Sequence, residues 1–305
     1  MHVLWIIGNG FDRNLGLKTS YKDFREKMYS KEDRFRADRE RLQELGKKLE
    51  GKRAVSFESG DPLWSDLEVL LGESTILFNR EDVEEFHGIF ERMQEALRDY
   101  LISEQDRFKG LPGRDKLIDE FWKSISNFEA RLPKLDKNQL GTIQHRNENV
   151  HYHFVSLNYT SCFDEMLEEA SRAHRPFARN GNYIRDVSDV FHIHGTLDEY
   201  GEIVFGVSDS DQIANPEFAE NDEFTELWVK GKKNVLYRND KTLQLMNLIK
   251  EASYIVVFGS SMGVTDLYIW RMIGDHIART QDARFVLFER YIELPGAFPA
   301  RSTQQ

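Results

Sequence analysis

The sequence predicts an α/β protein built on an open, mostly parallel sheet. Three observations support this prediction: short and nearly continuous apolar runs, small or amide residues directly after several of them, and helical patterns beyond those turns. Continuous apolar runs are typical of parallel strands, because helices cover both faces of a parallel sheet. A strand, a tight turn and a helix in succession form the repeating unit of such sheets.

Six apolar runs are the candidate strands. They lie at residues 3–7, 154–157, 190–193, 203–205, 254–258 and 284–288. Between the first run and the second, charge rises, proline is rare, and apolar residues recur at helical spacing, most clearly at residues 83–101 and 115–132. Ser20 and Asp23 resemble a helix capping box, with Asp in place of the usual Glu or Gln.

These patterns divide the 305-residue chain into a core and an insertion. We predict a Rossmann-like core formed by residues 1–19 and 150–305, and a large helical insertion after the first strand at residues 20–149. A second, smaller interruption at residues 209–243 carries proline, glycine and mixed charges. It is predicted to be a loop with short helices, and it is a candidate lid.

Net charge, cysteine content and hydropathy limit the partners, the kinds of covalent or metal site and the location that we expect for this protein. The net charge is −11, with 52 acidic and 41 basic residues, whereas general attraction to nucleic-acid phosphates needs a basic face. The single cysteine, Cys162, excludes an internal disulfide and a cysteine-based zinc site. No apolar stretch approaches the roughly 20 residues that span a bilayer, and the start lacks the features of a signal peptide. We therefore expect a cytoplasmic protein that does not bind a membrane. Nucleic acid is a disfavoured partner, although a local basic patch is compatible with this net charge.

The carboxyl ends of the predicted strands carry the candidate site, because ligands of open α/β sheets bind at this edge. These ends read Gly8-Asn9-Gly10-Phe11-Asp12, Asn158-Tyr159-Thr160, His194-Gly195 and Gly259-Ser260-Ser261-Met262-Gly263, with Asp266 following. Glycine lets backbone N–H groups approach a diphosphate, and two small-residue turns at neighbouring strand ends leave room for a dinucleotide. Each turn alone also fits an ordinary tight turn.

These motifs resemble those of the AbiH family of phage abortive-infection proteins. The opening signature includes the first turn and continues with Gly16-Leu17-Lys18-Thr19-Ser20-Tyr21 and Phe24. The later resembling motifs are Trp64-Ser65-Asp66-Leu67-Glu68, Leu157-Asn158-Tyr159-Thr160, His192-Ile193-His194-Gly195 and the glycine-serine turn with Asp266. The resemblance covers nearly the whole chain and implies a role in antiviral defence.

The later motifs are also similar, more distantly, to those of the sirtuin-like superfamily, where the corresponding residues surround NAD. This resemblance implies catalytic roles for Asn158 and His194 and NAD binding by the turns at 8–10 and 259–261. Asn9 departs from the usual Ala between the first glycines. Sirtuin deacylases carry a four-cysteine zinc module, which a chain with one cysteine lacks. The expected activity is therefore hydrolysis of NAD as a substrate, rather than protein deacylation.

Cleavage of the nicotinamide–ribose bond needs positioning and a base more than a strong acid, because the leaving group is already cationic and the transition state resembles an oxocarbenium ion. His194 suits the base at neutral pH, and Asn158 is predicted to hold the water or the ribose. Asp12 is predicted to face the nicotinamide ribose or carboxamide, since like charges keep it from a diphosphate. Its alternative role is helix capping or compensation of the helix dipole. Phe11 is grouped with the cofactor-binding turn.

Three further acids are candidates. Glu289 follows the last strand, where an acid commonly binds the adenosine ribose, although an ordinary polar residue fits equally well. Asp266 is assigned to the cofactor site, with capping of the next helix as the favoured interpretation. Glu68 is a candidate second carboxylate over the pocket, with a solvated helix face as the favoured interpretation.

Four histidines suggest a metal site. His151 and His153 are spaced i,i+2, as are His192 and His194, so each pair lies on one face of its strand. Four imidazoles can ligate zinc. In parallel strands, however, the two pairs lie at opposite edges of the sheet, and no metal is expected.

Two functions remain open from the sequence. The first is an NAD-consuming hydrolase that becomes toxic when activated. The alternative is a non-catalytic sensor of a dinucleotide or ADP-ribose that signals through the helical insertion. A constitutive NAD hydrolase would kill its host, so we expect a homo-oligomer or an activating partner. A nuclease is disfavoured, because no cluster of acidic metal ligands is assigned.

Overall fold

A computed structural model describes residues 1–31, 37–38, 40–41, 67–132, 134, 148–174, 179–180, 183–197, 203–236 and 241–288. The sheet has six strands: β1 (His2–Ile7), β2 (Val150–Ser156), β3 (Arg179–Asn180), β4 (Tyr183–His192), β5 (Tyr254–Phe258) and β6 (Arg284–Phe288). Their order is β3-β4-β2-β1-β5-β6. All neighbours pair in parallel except β3, which is antiparallel to β4.

The strand order confirms the predicted Rossmann-like class. With the short β3 set aside, the parallel strands follow the order third, second, first, fourth, fifth along the chain, which is the order of the Rossmann fold. The order reverses between β1 and β5. In open α/β sheets, ligands bind at the carboxyl edge near such a reversal. Strand β1 is buried on both faces from Val3 to Ile7, which explains its continuous apolar run.

Helices flank the sheet on both sides. They are α1 (Gly10–Asn14), α2 (Tyr21–Lys31), α3 (Leu67–Ser74), α4 (Val83–Lys109), α5 (Arg114–Ser126), α6 (Cys162–His174), α7 (Pro216–Ala219), α8 (Asp222–Trp228), α9 (Lys230–Leu236), α10 (Lys241–Glu251) and α11 (Leu267–Arg279). Short 3-10 helices lie at Thr75–Leu77, Arg80–Asp82, Phe128–Arg131, Ser210–Gln212 and Val264–Asp266. No helix among the described residues has both the length and the apolar character of a bilayer-spanning segment.

The helices between β1 and β2 belong to two different cores. The end of α4 and helix α5 cover one face of the sheet, where Phe108 and Trp122 share a core with Trp5. The start of α4 instead packs with α3 and with residues 203–229, around Phe86. The insertion therefore covers the sheet and also builds a second core together with residues 203–229. Its division from residues 1–19 and 150–305 as a separate domain stays a prediction.

The helical predictions are confirmed in outline. The helix predicted at 83–101 extends to Lys109 as α4, and the one at 115–132 divides into α5 and a 3-10 turn. Ser20 and Asp23 form the predicted capping box, in which the Asp23 N–H donates to the Ser20 hydroxyl and the Ser20 N–H to the Asp23 carboxylate, both at 3.2 Å. Residues 209–243 contain the predicted short helices, α7 to α9.

The strand predicted at residues 203–205 is wrong. Ile203 and Phe205 are buried in the core formed by α3 and α4, and the Val204 N–H donates to the His194 carbonyl at 2.8 Å. The segment is therefore apolar because it lies between the insertion and the sheet. An apolar run of this length cannot distinguish a buried loop from a strand.

Candidate functional site

The two glycine turns at the ends of β1 and β5 pack directly against each other. The Gly10 N–H donates to the Gly259 carbonyl at 2.6 Å, and the Gly8 N–H donates to the Phe258 carbonyl at 2.9 Å. A Cβ on any of the three glycines would lie 2.6 Å from a backbone atom of the opposite segment. This close approach requires glycine independently of any ligand. In this structure the Gly10 amide is already a donor to Gly259 and so does not face outward for a phosphate, whereas NAD binding by the turn at 8–10 stays a prediction.

Asn9 forms two hydrogen bonds to Thr19 and so holds the loop at residues 15–20. Its Nδ2 donates to the Thr19 carbonyl at 2.9 Å, and its Oδ1 accepts from the Thr19 hydroxyl. Helix α4 holds the same loop, since Glu104 accepts from the Lys18 N–H at 2.8 Å and the Tyr100 hydroxyl donates to the Lys18 carbonyl at 2.6 Å. Both polar ends of the Asn9 side chain are thus used within the protein.

The two residues after the first turn point inward. Phe11 packs edge-on against Phe163, with ring centroids 5.1 Å apart. Asp12 lies in the first turn of α1 and is 1% exposed. Its carboxylate does not cap the helix; it accepts from the Thr160 hydroxyl at 2.6 Å and from the Asn158 amide at 3.5 Å. Burial raises the pKa of Asp12 to about 6.

We expect Asp12→Asn to change how stability depends on pH. The folded protein binds the Asp12 proton more tightly than the unfolded chain does, so this stabilisation is complete below about pH 4 and is lost as pH rises through about 6. The free energy of unfolding of the variant, relative to that of the wild type, should therefore be about 2–3 kcal/mol higher at pH 7 than at pH 4. Urea unfolding of both proteins at the two pH values measures this difference. Parallel pH profiles of the two proteins would contradict it.

Asn158 is fixed with its amide nitrogen directed inward. Nδ2 lies 3.3 Å from the Gly8 carbonyl oxygen and 3.5 Å from the Asp12 carboxylate. Both neighbours only accept, so the orientation of the amide is set by the network. The Asn158 N–H donates to the Ser156 hydroxyl at 3.1 Å. The other end, Oδ1, is buried and has no hydrogen-bond partner among the described residues.

His192 holds the same loop from the neighbouring strand. Its Nδ1 lies 3.1 Å from the Asn158 carbonyl oxygen, and its Nε2 lies 3.0 Å from both carboxylate oxygens of Asp164. The Lys241 ammonium donates to the His192 carbonyl at 3.0 Å. His192 therefore supports Asn158, a role that its sequence spacing did not indicate.

His194 follows β4 and is 2% exposed. Its Nε2 lies 2.9 Å from Oδ1 of Asp266, and a carboxylate accepts, so Nε2 carries the proton. Burial lowers the pKa of His194, and the nearby Lys230 ammonium lowers it further. The ring is thus neutral at pH 7, and Nδ1 is a proton acceptor. Nδ1 is buried and has no hydrogen-bond partner within the described part of the chain.

Asp266, whose side chain is 17% exposed, belongs to a largely buried row of charges that the sequence did not reveal. The Lys230 ammonium lies 3.0 Å from Asp266 Oδ1 and 2.8 Å from Glu68 Oε2. The Lys230 and Glu68 side chains are 2% and 4% exposed. Burial opposes the charge on Lys230, but Asp266 and Glu68 together raise its pKa. Burial likewise opposes the charge on Asp266, yet Lys230 and His194 hold its pKa below the usual range.

Two favoured interpretations from the sequence are therefore wrong. Glu68 does not lie on a solvated face, because α3 packs against residues 203–229 and carries Glu68 into this row. Asp266 stands at the start of α11 but makes no capping bond with its side chain. Its carboxylate is drawn instead to two stronger donors.

Two tyrosines lie at this site, Tyr159 beside His194 and Tyr268 near the charges of Asp266, Lys230 and Glu68. The Tyr159 hydroxyl donates to the Val204 carbonyl at 3.2 Å, and the Tyr159 ring centroid lies 6.4 Å from that of His194. The Tyr268 hydroxyl is buried, without a hydrogen-bond partner in the described ranges. Burial raises the pKa of both tyrosines. Both hydroxyls are thus protonated and add no charge to the site.

The parallel pairing separates the histidine pairs. His151 pairs with Asp186 at the amino end of β4, whereas His192 stands at its carboxyl end beside Ser156. The predicted opposite placement is confirmed. Among the described residues, no group of three or more His, Cys, Asp or Glu side chains is arranged to hold a metal ion.

The remaining predicted residues divide into two groups. Ser260 is half-buried and Ser261 is exposed, and the Ser260 hydroxyl accepts from the Met262 N–H at 3.0 Å. Glu289 and Trp64 lie outside the described residues, as do Ser65 and Asp66. The role predicted for Glu289 stays a prediction.

The comparisons with known proteins agree with the motif resemblance. Residues 4–288 match one family model, described as Bacteriophage abortive infection AbiH. The match begins within β1 and ends with β6, so it includes part or all of every strand and the helical insertion. A search of curated proteins finds no match. The similarity to the sirtuin-like superfamily stays a prediction. The chain belongs to the AbiH family of bacteriophage abortive-infection proteins.

Proposed function

We propose that this protein acts in abortive infection as an NAD-consuming hydrolase that cleaves the nicotinamide–ribose bond. One observation carries the proposal: Asn158 and His194 are each fixed at one end, and each keeps one buried polar atom that has no hydrogen-bond partner among the described residues. An unpaired buried polar atom is costly, so its persistence indicates a site for a ligand. Both side chains follow strands at the ligand edge of a Rossmann-ordered sheet.

The proposed reaction uses His194 as a general base. Its Nδ1 takes a proton from water as the water oxygen bonds to C1′ of the ribose. The bond between C1′ and the pyridinium nitrogen breaks, and its electron pair stays on nitrogen, so nicotinamide leaves neutral and ADP-ribose remains. Asp266 keeps the ring in the required tautomer and stabilises the imidazolium that forms. Asn158 Oδ1 accepts a hydrogen bond from the water or a ribose hydroxyl, and Asp12 helps to hold its amide.

The buried charge of the site supports a cationic reacting group. Two carboxylates, Glu68 and Asp266, share one ammonium, that of Lys230, which leaves one negative charge. Asp12 is mostly ionised at pH 7 and adds another. This excess of negative charge stabilises a pyridinium and the positive charge that develops on the ribose. The same charge repels a diphosphate, which we place at Ser260 and Ser261, towards the surface of the turn.

The site is closed in this structure. Asn158 is 6% and His194 2% exposed, so NAD reaches them only after the covering segments move. Residues 203–205 form part of this cover, since the Val204 N–H donates to the His194 carbonyl. We propose that the closed form is the idle enzyme, and that a partner or oligomerisation through the insertion opens it. This arrangement keeps an NAD hydrolase harmless before infection.

Measuring intracellular NAD during infection tests the proposed function in the presence of the natural trigger. Cells that express the wild-type chain are expected to lose NAD and to accumulate nicotinamide and ADP-ribose before lysis. Cells that express Asn158→Ala at the same level should keep their NAD and lose protection. Protection by the wild type at constant NAD would contradict hydrolysis and would favour the sensor of ADP-ribose or a dinucleotide.

A further inference from the structure

We propose that Lys230 is a positioning residue for the catalytic base. Anchored by Glu68, it fixes the carboxylate of Asp266 and keeps the imidazole beyond it neutral, so that Nδ1 is free to take a proton. The inference rests on the proposed function for the role of His194 as base. It goes further because it assigns the control of that base to Lys230, in the short helices of residues 209–243, and to Glu68, in the insertion.

The contacts join three separate parts of the chain. Glu68 lies in α3 of the insertion, Lys230 is the first residue of α9, and Asp266 precedes α11. The backbone also fixes Lys230, since its N–H donates to the Val207 carbonyl at 2.9 Å beside the isolated bridge of Val207 and Val229. The ammonium is therefore held from both the main chain and the side chain.

One carboxylate oxygen is shared between the two cationic groups. Asp266 Oδ1 accepts from Lys230 Nζ at 3.0 Å and from His194 Nε2 at 2.9 Å. While Lys230 neutralises this oxygen, the carboxylate orients the imidazole without drawing a second proton onto it. Without Lys230, the same carboxylate would pair with an imidazolium, and Nδ1 would no longer accept a proton at neutral pH.

The other charged groups around His194 do not replace Lys230. Lys241 opposes protonation of the ring more weakly, and its ammonium already donates to the His192 carbonyl. Tyr159 is protonated and neutral. Asp266 favours protonation of the ring, so the balance between Lys230 and Asp266 sets the charge of His194.

Glu68, which anchors Lys230, also connects the insertion to the proposed proton transfer at His194. Glu68 Oε1 lies 3.3 Å from the Gly206 N–H and 3.4 Å from the Tyr159 hydroxyl, while Oε2 holds Lys230. A shift of α3 that separates Glu68 from Lys230 would loosen the hold of Lys230 on Asp266. It would therefore change the proton affinity of His194, even without contact between α3 and the imidazole. The position of the insertion and the ability of His194 to accept a proton are thus coupled through the Lys230 ammonium.

The test is the double variant Glu68→Gln/Lys230→Met, which removes one positive and one negative charge and so preserves the net charge. The imidazole of His194 is titrated by NMR in histidine-labelled protein without nucleotide. We expect its pKa to rise by about one unit or more relative to the wild type. In NAD-cleavage assays of protein purified from phage-infected cells, the acidic limb of the pH–rate profile should move to higher pH by the same amount. Arg92→Met/Asp38→Asn removes a more exposed ion pair at 2.5 Å and serves as the matched control, with no change expected.

Two results would overturn the proposal. One is an unchanged titration of His194 in the folded double variant. The other is faster NAD cleavage by that variant, which would make the ion pairs a latch rather than a positioning device. If the double variant does not fold, Lys230→Gln keeps a donor between the carboxylates and should show the same rise. Absence of NAD cleavage in every protein, each purified from phage-infected cells, would refute the proposed function alone, because the titration needs no substrate.

Discussion

Replacing His194 with alanine is expected to lower the rate of NAD cleavage by about 10²- to 10⁴-fold, the usual contribution of a general base. The variant loses the only ring nitrogen in the proposed mechanism that accepts the proton of water. Its affinity for NAD should stay within a few fold, because Asn158 and the turn at Ser260 and Ser261 remain. Turnover of activated protein and calorimetric binding of NAD measure the two effects separately.

His151→Ala is the matched control for this variant. His151 also lies in a parallel strand of the sheet, but at the amino end, beside Asp186. Its rate of NAD cleavage should equal that of the wild type. Equal rates for His194→Ala and the wild type would remove His194 from the mechanism. Loss of NAD affinity in step with the rate would assign it to binding instead.

Gly259→Ala is expected to destabilise the fold by about 3 kcal/mol or more. Gly259 has a φ of +72°, which costs an L-residue about 1–2 kcal/mol. Its Cβ would also lie 2.6 Å from the Phe11 backbone nitrogen and 2.9 Å from the Gly10 carbonyl carbon, and overpacking adds about 1–3 kcal/mol. The two turns would have to separate. Chemical unfolding of both proteins gives the difference in the free energy of unfolding.

Gly16→Ala isolates the backbone part of this effect. Gly16 has a φ of +85°, but a Cβ there meets nothing within 4 Å. We expect this variant to lose about 1–2 kcal/mol, the cost of the left-handed conformation alone. A loss for Gly259→Ala no larger than that for Gly16→Ala would show that the turns at β1 and β5 are not closely packed in solution.

The sheet was predictable because its strands carry strong local signals. Strands β5 and β6 have the bounds predicted from their continuous apolar runs. Strand β4 begins at Tyr183, seven residues before the predicted start, because its first half is only partly buried and lacks such a run. Residues 203–205 were mistaken for a strand for the opposite reason, since they are apolar and buried but lie outside the sheet.

The site was only partly predictable. Asn158 and His194 stand directly after apolar runs and within recognisable motifs, so their edge of the sheet follows from local sequence. Lys230 is separated from Glu68 by 162 residues and from Asp266 by 36. No local pattern reports such a contact, and an acid on an amphipathic helix ordinarily faces water. Only the folded arrangement shows that these charges are buried together.

The glycine turns illustrate a second limit of local sequence. A turn that cradles a phosphate and a turn that packs against another turn both need glycine, since both bring backbone close to a neighbour. In this fold the Gly8 and Gly10 amides are donors to the segment of β5 and its turn. The packing role is therefore established by geometry, and the ligand role that we propose for this edge depends on Asn158 and His194.

Release of nicotinamide from NAD by protein purified from phage-infected cells tests the central claim most directly. The wild-type chain is expected to release nicotinamide and ADP-ribose in equal amounts, whereas Asn158→Ala and His194→Ala, purified in the same way, should release neither. Binding of NAD or ADP-ribose by the wild type without release of nicotinamide would contradict the hydrolase and favour the sensor.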